Sequence, residues 1–269
     1  MKVADVMTPE PITIESVSSI DRALELMDRL DIRHLPVMED GRLAGILSDR
    51  DVLAVTGWRT QGHSEPDAQV RAHMRMPVET VKPDVDVNQA AVLMSRARVG
   101  CAPVMAEKDL VGIVTEIDLM RAFARGRRKG TFGSEQDPPV RTVMSDASVR
   151  GDLTTTIGEV RALFRDNKIR HLPLWRGREL VAIVSDRDLR RALGQGRPDT
   201  MPAGDIVQGG VISVPGSTRL SEAAEVMAAN RISALIVQQG EDSAGILTTS
   251  DILDHIARMP WRSAGKAEA

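Results

Sequence analysis

Ala44-Gly45-Ile46-Leu47-Ser48-Asp49-Arg50-Asp51 recurs as Val111-Gly112-Ile113-Val114-Thr115-Glu116-Ile117-Asp118, as Val181-Ala182-Ile183-Val184-Ser185-Asp186-Arg187-Asp188 and as Ala244-Gly245-Ile246-Leu247-Thr248-Thr249-Ser250-Asp251. Each copy is an apolar strand, a hydroxyl residue, and an aspartate three positions later. The motif aspartates are spaced by 67, 70 and 63 residues, so the chain reads as four repeats of small-domain size. Alternate copies match best. Ile32-Arg33-His34-Leu35-Pro36 returns as Ile169-Arg170-His171-Leu172-Pro173, which marks the pair as the unit of duplication.

Working outward from the motif, each repeat has the same grammar. A segment such as Asp5-Val6-Met7-Thr8-Pro9 leads into extended Ile12-Thr13-Ile14, and Ser18 or Ser19 then supplies a helix cap. The helix stripe is Ile20, Ala23, Leu24, Met27 and Leu30, repeated as Val87, Ala90, Ala91, Met94 and as Leu220, Ala223, Ala224, Met227. In the third repeat Arg161 interrupts the stripe of Ile157, Val160 and Phe164. Two short strands follow, Leu35 to Met38 and Leu43 to Leu47, joined by Glu39-Asp40-Gly41, a hairpin signal. A second helix begins at the motif aspartate. The expectation is an α+β fold of four strand-helix-strand-strand-helix repeats, each with a sheet face that needs a partner.

Pro-, Gly- and charge-rich stretches divide the chain. The first pair spans 1–125 (repeats about 1–56 and 70–125), a linker 126–139, the second pair 140–259 (repeats about 140–194 and 204–259), and a tail 260–269. The basic run from Arg121 to Lys129 is read as a solvated helix end and linker rather than a phosphate or acidic-partner contact.

Composition bounds the function. Aromatic residues make up 2% of the 269 residues, without a single Tyr, so stacked-base recognition is disfavoured. A net charge of −3 gives no global attraction for polyanions, and nucleic acid is an unlikely partner. The one cysteine, Cys101, excludes an internal disulfide and reads as small core packing. The sequence begins without a signal-peptide core and contains no membrane-length apolar run, so a soluble cytoplasmic protein is expected.

Four copies of an RHLP-type strand with Gly-apolar-apolar-Ser/Thr-x-x-Asp resemble the cystathionine-β-synthase (CBS) domain family, over about Val3 to Ala257. CBS repeats pair into Bateman modules, so the resemblance implies two tandem modules. The layout is similar to that of the gamma subunits of AMP-activated protein kinase and of free-standing prokaryotic four-repeat proteins. It implies a regulatory, non-catalytic protein that takes an adenine nucleotide (AMP, ADP or ATP) or S-adenosylmethionine in clefts between paired repeats and signals to a partner. A homodimer is compatible with it.

Ser/Thr-x-x-acid at a strand-to-helix turn is also a helix-capping pattern, although capping boxes favour the longer Glu or Gln where all four copies carry Asp. The same helix N-terminus presents amides and dipole to a phosphate, and a carboxylate one turn along accepts ribose hydroxyls. The resemblance assigns ribose to Asp51, Asp118, Asp188 and Asp251, with Ser48, Thr115, Ser185 and Thr248 beside sugar or phosphate. It sets Thr13, Thr80 and Ser213 in the purine slot, where Arg150, the third counterpart, either meets phosphate or obstructs. Arg33, His34, Arg50, Arg170, His171 and Arg187 are the phosphate candidates. Asp49 and Asp186 are read as partners of the motif arginines or as oxygen ligands of a divalent cation accompanying the ligand. No clustered metal ligands, activated nucleophile or phosphate loop of the G-x-x-x-x-G-K-[ST] type occurs in the sequence. The alternative is a ligand-independent structural or interaction subunit in which the motif only caps helices.

Overall fold

The computed structural model describes residues 1–56, 68–207, 210–238 and 244–259; most of the first inter-repeat stretch (57–67) and the tail 260–269 lie outside the described residues. The first repeat contains β1 (Thr8–Pro9), β2 (Ile14–Glu15), α1 (Ile20–Leu30), β3 (His34–Glu39), β4 (Arg42–Ser48) and α2 (Asp49–Thr56). The second has α3 (Val87–Ala97), β5 (Cys101–Ala106), β6 (Asp109–Thr115) and α4 (Glu116–Arg128), its early strand reduced to the Val81–Val104 bridge. The third has β7 (Ser145–Asp146), β8 (Gly151–Asp152), α5 (Ile157–Asn167), β9 (His171–Arg176), β10 (Glu179–Ser185) and α6 (Asp186–Gly194). The fourth has β11 (Ser213–Pro215), α7 (Leu220–Asn230), β12 (Ala234–Gln238), β13 (Ala244–Thr248) and α8 (Thr249–Arg258).

Local chemistry sets these bounds. Ser19 caps α1 by accepting from the Arg22 amide at 3.2 Å. The first helix of every repeat ends on a left-handed residue: Asp31, Arg98, Lys168 and Arg231. The next apolar residue donates its amide back into the last turn, Ile32 to the Met27 carbonyl at 3.0 Å and Val99 to Met94 at 3.1 Å, the Schellman arrangement. The stripes of α3 and α7 are buried as expected. In α1, Leu26 is buried while Leu30 is 41% exposed, because the core-facing sector drifts at 3.6 residues per turn. Arg161 leaves the apolar face of α5 and binds both carboxylate oxygens of Asp199 at 2.9 and 2.8 Å. The β3–β4 hairpin turns through Asp40 and Gly41, both at positive φ, as a twisted two-residue loop requires.

The repeats do not fold separately. The lead segment of each crosses to its pair mate. β1 pairs with β6, and Val3 donates to the Val85 carbonyl at 2.9 Å, so the N-terminus completes the second repeat. In return Val70 donates to Ser18 and Arg71 to Ser16, while Arg75 bridges Ile46 of β4. The second pair exchanges likewise: β7 lies on β13, Val140 donates to Thr218, and Ala203 donates to Thr155.

Three cores result. Repeats one and three each have their own. Repeats two and four share one, in which α3 packs on α8 and α4 on α7 and α8. The expected linker is part of that shared core: α4 runs through Arg128, Phe132 stacks on Phe123 with centroids 5.1 Å apart, and the Gln136 carbonyl meets His255 Nε2 at 2.9 Å. Asp137, 1% exposed, accepts from the Ser221 amide and hydroxyl at 2.8 Å each, capping α7, and pairs with Arg127 at 3.3 Å. Arg128 pairs with Glu225 at 2.8 Å. Two cations of the basic run are therefore engaged within the chain.

Candidate functional site

All four motifs form one geometry at a strand-to-helix junction. The Ser48 amide and hydroxyl donate to Asp51 Oδ2 at 2.9 and 2.5 Å; Thr115 donates likewise to Asp118 at 2.9 and 2.6 Å. Ser185 reaches Asp188 at 3.0 and 2.5 Å, and Thr248 reaches Asp251 at 2.8 and 2.7 Å. Aspartate therefore closes the capping box as completely as the longer Glu, because the extended Ser or Thr backbone brings its own amide to the shorter acid. Oδ2 serves the cap in each copy, and the second oxygen, Oδ1, is the atom that distinguishes them.

The early segments frame the outer edge. Thr13, Thr80 and Ser213 are exposed, and Ser213 Oγ accepts from Gln238 Nε2 at 3.0 Å. Arg150 sits with its guanidinium 5.6 Å from the Trp175 ring centroid, a cation-π contact that turns it toward the β9–β10 hairpin. Trp175, Gly177, Arg178 and Arg150 line a shallow cavity of about 270 Å³ there.

At the inner edge, the first amide of each motif helix donates to the residue before the RHLP-type strand. Asp49 bonds Arg33, Glu116 bonds Gly100, Asp186 bonds Arg170 and Thr249 bonds Ser233, at 2.8–3.1 Å. This ties the Arg-His pairs to the helix N-termini. His34 faces Gly100, whose Cβ, if present, would fall 3.2 Å from the ring; His171 Nε2 hydrogen-bonds Ser233 Oγ at 2.9 Å. Each histidine thus meets the small residue that stands, in its pair mate, where its own repeat carries the arginine. Burial is the largest influence on both, and it lowers each to about 4. As neutral rings they can form hydrogen bonds but do not carry the positive charge that phosphate binding favours.

Charge concentrates where the motif helices converge. Arg33, Arg170 and Arg190 are all lowered, by burial first and then by neighbouring arginines; Asp49, Glu116 and Asp186 oppose the shift. Glu116 is raised by burial despite Arg170, Arg50, Arg33 and a hydrogen bond from Thr249. Arg50 Nε lies 3.5 Å from Asp186, so the first pair reaches the second, and Arg190 lies 3.4 Å from the same carboxylate. Arg187 turns to Asp31 at 4.0 Å. Asp186 therefore pairs across modules, not with the arginine that follows it. Among the described residues no group of three His, Cys, Asp or Glu side chains has the arrangement of a metal site.

Glu116, Thr249, Arg190 and Arg75 were not singled out from sequence. The first two occupy the same motif position as Asp49 and Asp186, a register that was available to be read. Arg190 is one helical turn beyond Asp186. Arg75 reaches the first motif only through the exchanged lead segment.

The CBS-domain family profile matches residues 3–56, 70–125, 140–195 and 203–258. The chain belongs to the CBS-domain family. It is similar to the uncharacterized protein MJ1225 of Methanocaldococcus jannaschii, 26% identical over 96% of this chain and 98% of the relative. The crystal structure of MJ1225, described as a proposed archaeal homolog of g-AMPK, superposes with a TM-score of 0.74 at 22% identity over 96% of this chain and all of that one. An uncharacterized conserved protein from Pyrococcus horikoshii gives 0.67 at 24% identity over 95% and 100%. These two likenesses are of fold. The shorter CBSX2, solved with AMP, gives 0.41 at 29% identity over 47% of this chain and 98% of its own. No helix among the described residues is long and apolar enough to cross a membrane.

Proposed function

We propose that this chain is a regulatory protein, without catalytic activity of its own, that binds an adenine nucleotide or a related adenosyl ligand in the clefts between paired CBS repeats. The central arginines carry the reading. Among the described residues Arg33, Arg50, Arg170 and Arg190 gather around Asp49, Glu116 and Asp186, and the mutual repulsion of the arginines leaves a positive excess that a phosphate chain would relieve. The motif carboxylates at the rim, each with Oδ1 outside the cap, provide acceptors for ribose hydroxyls. Thr13, Thr80 and Ser213 border the purine, with Ser48, Thr115, Ser185 and Thr248 near the sugar. The ligand touches both repeats of a pair and favours the relative orientation that binds it better, which a partner protein reads.

Titration calorimetry with AMP, ADP, ATP and S-adenosylmethionine tests this. Binding of at least one is expected, weakened for phosphate-bearing ligands by Arg33→Ala or Arg170→Ala. Silence across all four ligands overturns it. One observation favours a second reading, a ligand-independent interaction subunit: the motif aspartates are complete helix caps without a ligand. Its signature is self-association or partner association that neither nucleotide nor the arginine substitutions change.

A further inference from the structure

Oδ2 of each motif aspartate serves its helix cap, so Oδ1 is the atom left to a ligand, and its surroundings differ among the copies. Arg75 Nε donates to Asp51 Oδ1 at 3.1 Å, and Arg191 stands 3.5 Å from Asp188 Oδ1. Among the described residues no arginine or lysine is ion-paired with Asp118 or Asp251.

Segment exchange builds the difference at Asp51. β1 sets Thr8 opposite Ile113, and β7 sets Ser145 opposite Ile246. The same register sets Arg75 opposite Ile46. A guanidinium therefore reaches the first motif from the position where a short hydroxyl residue faces the second and fourth. Over the third motif the equivalent residue, Gln208, lies outside the described residues, and Arg191 comes from α6 itself.

A ribose diol and a guanidinium are both donors and compete for the same Oδ1 lone pairs. Resting on the nucleotide-binding reading above, we infer that the four sites are unequal: Asp118 and Asp251, one in each pair, accept ribose directly, whereas at Asp51 and Asp188 the ligand must displace Arg75 or Arg191. Arg75 is thus a specificity-determining residue of the first site. Asp251, raised by burial and further by Asp254, has no cation paired with it among the described residues and gains from two hydroxyl donors. Arg75 is 55% exposed, so its hold is a handicap of a few-fold rather than a block.

Calorimetry of the intact chain with AMP as probe reads this inequality. Asparagine keeps an acceptor for the cap and loses the carboxylate, and thermal melts verify folding of each variant. Two tight equivalents are expected for the unaltered chain. Asp118→Asn and Asp251→Asn each weaken one of them by about tenfold or more. Asp51→Asn and Asp188→Asn leave both in place, and Arg75→Ala tightens a weaker site by up to about fivefold. Equal losses from all four asparagine variants, or no tightening from Arg75→Ala, overturn the inference and leave nucleotide binding standing. If AMP, ADP, ATP and S-adenosylmethionine all fail to bind the unaltered chain, the underlying reading falls, and this inference with it.

Discussion

Met74 lies against the bare backbone of Gly45: a Cβ on that glycine would sit 2.3 Å from Met74 Sδ and 2.7 Å from its Cγ. The two residues belong to different repeats, and the contact exists only because the lead segments are exchanged. Met7 lies over Gly112 and Met144 over Gly245 in the same way, whereas the third strand carries Ala182, with Val207 at the methionine position of its lead segment. Bulk lost from the crossing residue is regained on the strand.

That exchange of volume predicts a rescue. Gly45→Ala drives a methyl into Met74 and lowers stability by about 1–3 kcal/mol, the usual cost of overpacking. Adding Met74→Val restores the third-repeat combination and recovers most of the loss in thermal melts. Losses that simply add in the double variant mean that the two side chains do not share the space.

Asp137 predicts a second effect. Asp137→Ala removes the acceptor of two Ser221 donors and the partner of Arg127 at a buried position, at about 2–4 kcal/mol in urea unfolding. Asp137→Asn, which keeps one of the two acceptor oxygens, costs less. A change below about 0.5 kcal/mol, the range of ordinary surface substitutions, contradicts a structural role for this segment.

The histidines predict a pH dependence. Their folded values of about 4 lie below the unfolded value of about 6.5, so the unfolded chain binds protons first as pH falls. Their contribution is complete above about pH 6.5 and is lost as pH falls toward 4, by up to roughly 3 kcal/mol for each histidine. For His34, Asp49 and Asp51 oppose the burial effect, and Arg33 and Arg50 reinforce it. Raised Glu116 gives the opposite slope, so the discriminating measurement is the difference between the unaltered chain and His171→Gln across that window. Parallel stability curves would falsify the neutral-histidine account.

Cys101 predicts an absence of reaction. Burial pushes the thiol up to about 12, with Glu116 adding to the effect, and the residue is 5% exposed. A thiol reagent at pH 8 should label it only at the rate of unfolding. Rapid stoichiometric labelling of the folded chain contradicts that environment.

Much of the fold was legible because four copies reinforce one another. The stripe of Val87, Ala90, Ala91 and Met94, the Asp40-Gly41 turn and the cap at Ser19 are local signals, and each occurs where periodicity and turn chemistry put it. Leu30 deceived because the stripe was extended one turn beyond the core-facing sector. Segment exchange was illegible: Val3 packing in the second repeat and Val70 in the first leave the linear pattern unchanged, since both copies carry the same kind of apolar residue there. The structure places every motif residue at a helix N-terminus, but sequence did not distinguish the four carboxylates, because Arg75 acts on Asp51 from 24 positions away through another repeat's register.

The Arg-His edge facing a small residue has a consequence for which repeats can meet. Gly100 leaves room for the His34 ring, and Ser233 supplies the partner of His171. Two Arg-His edges brought together would set each ring against an arginine where glycine or serine now stands, and would gather two arginines of like charge. Two small edges would leave a void. Each pair is therefore a lock between unlike halves, whose contact surfaces fit each other better than either fits a copy of itself.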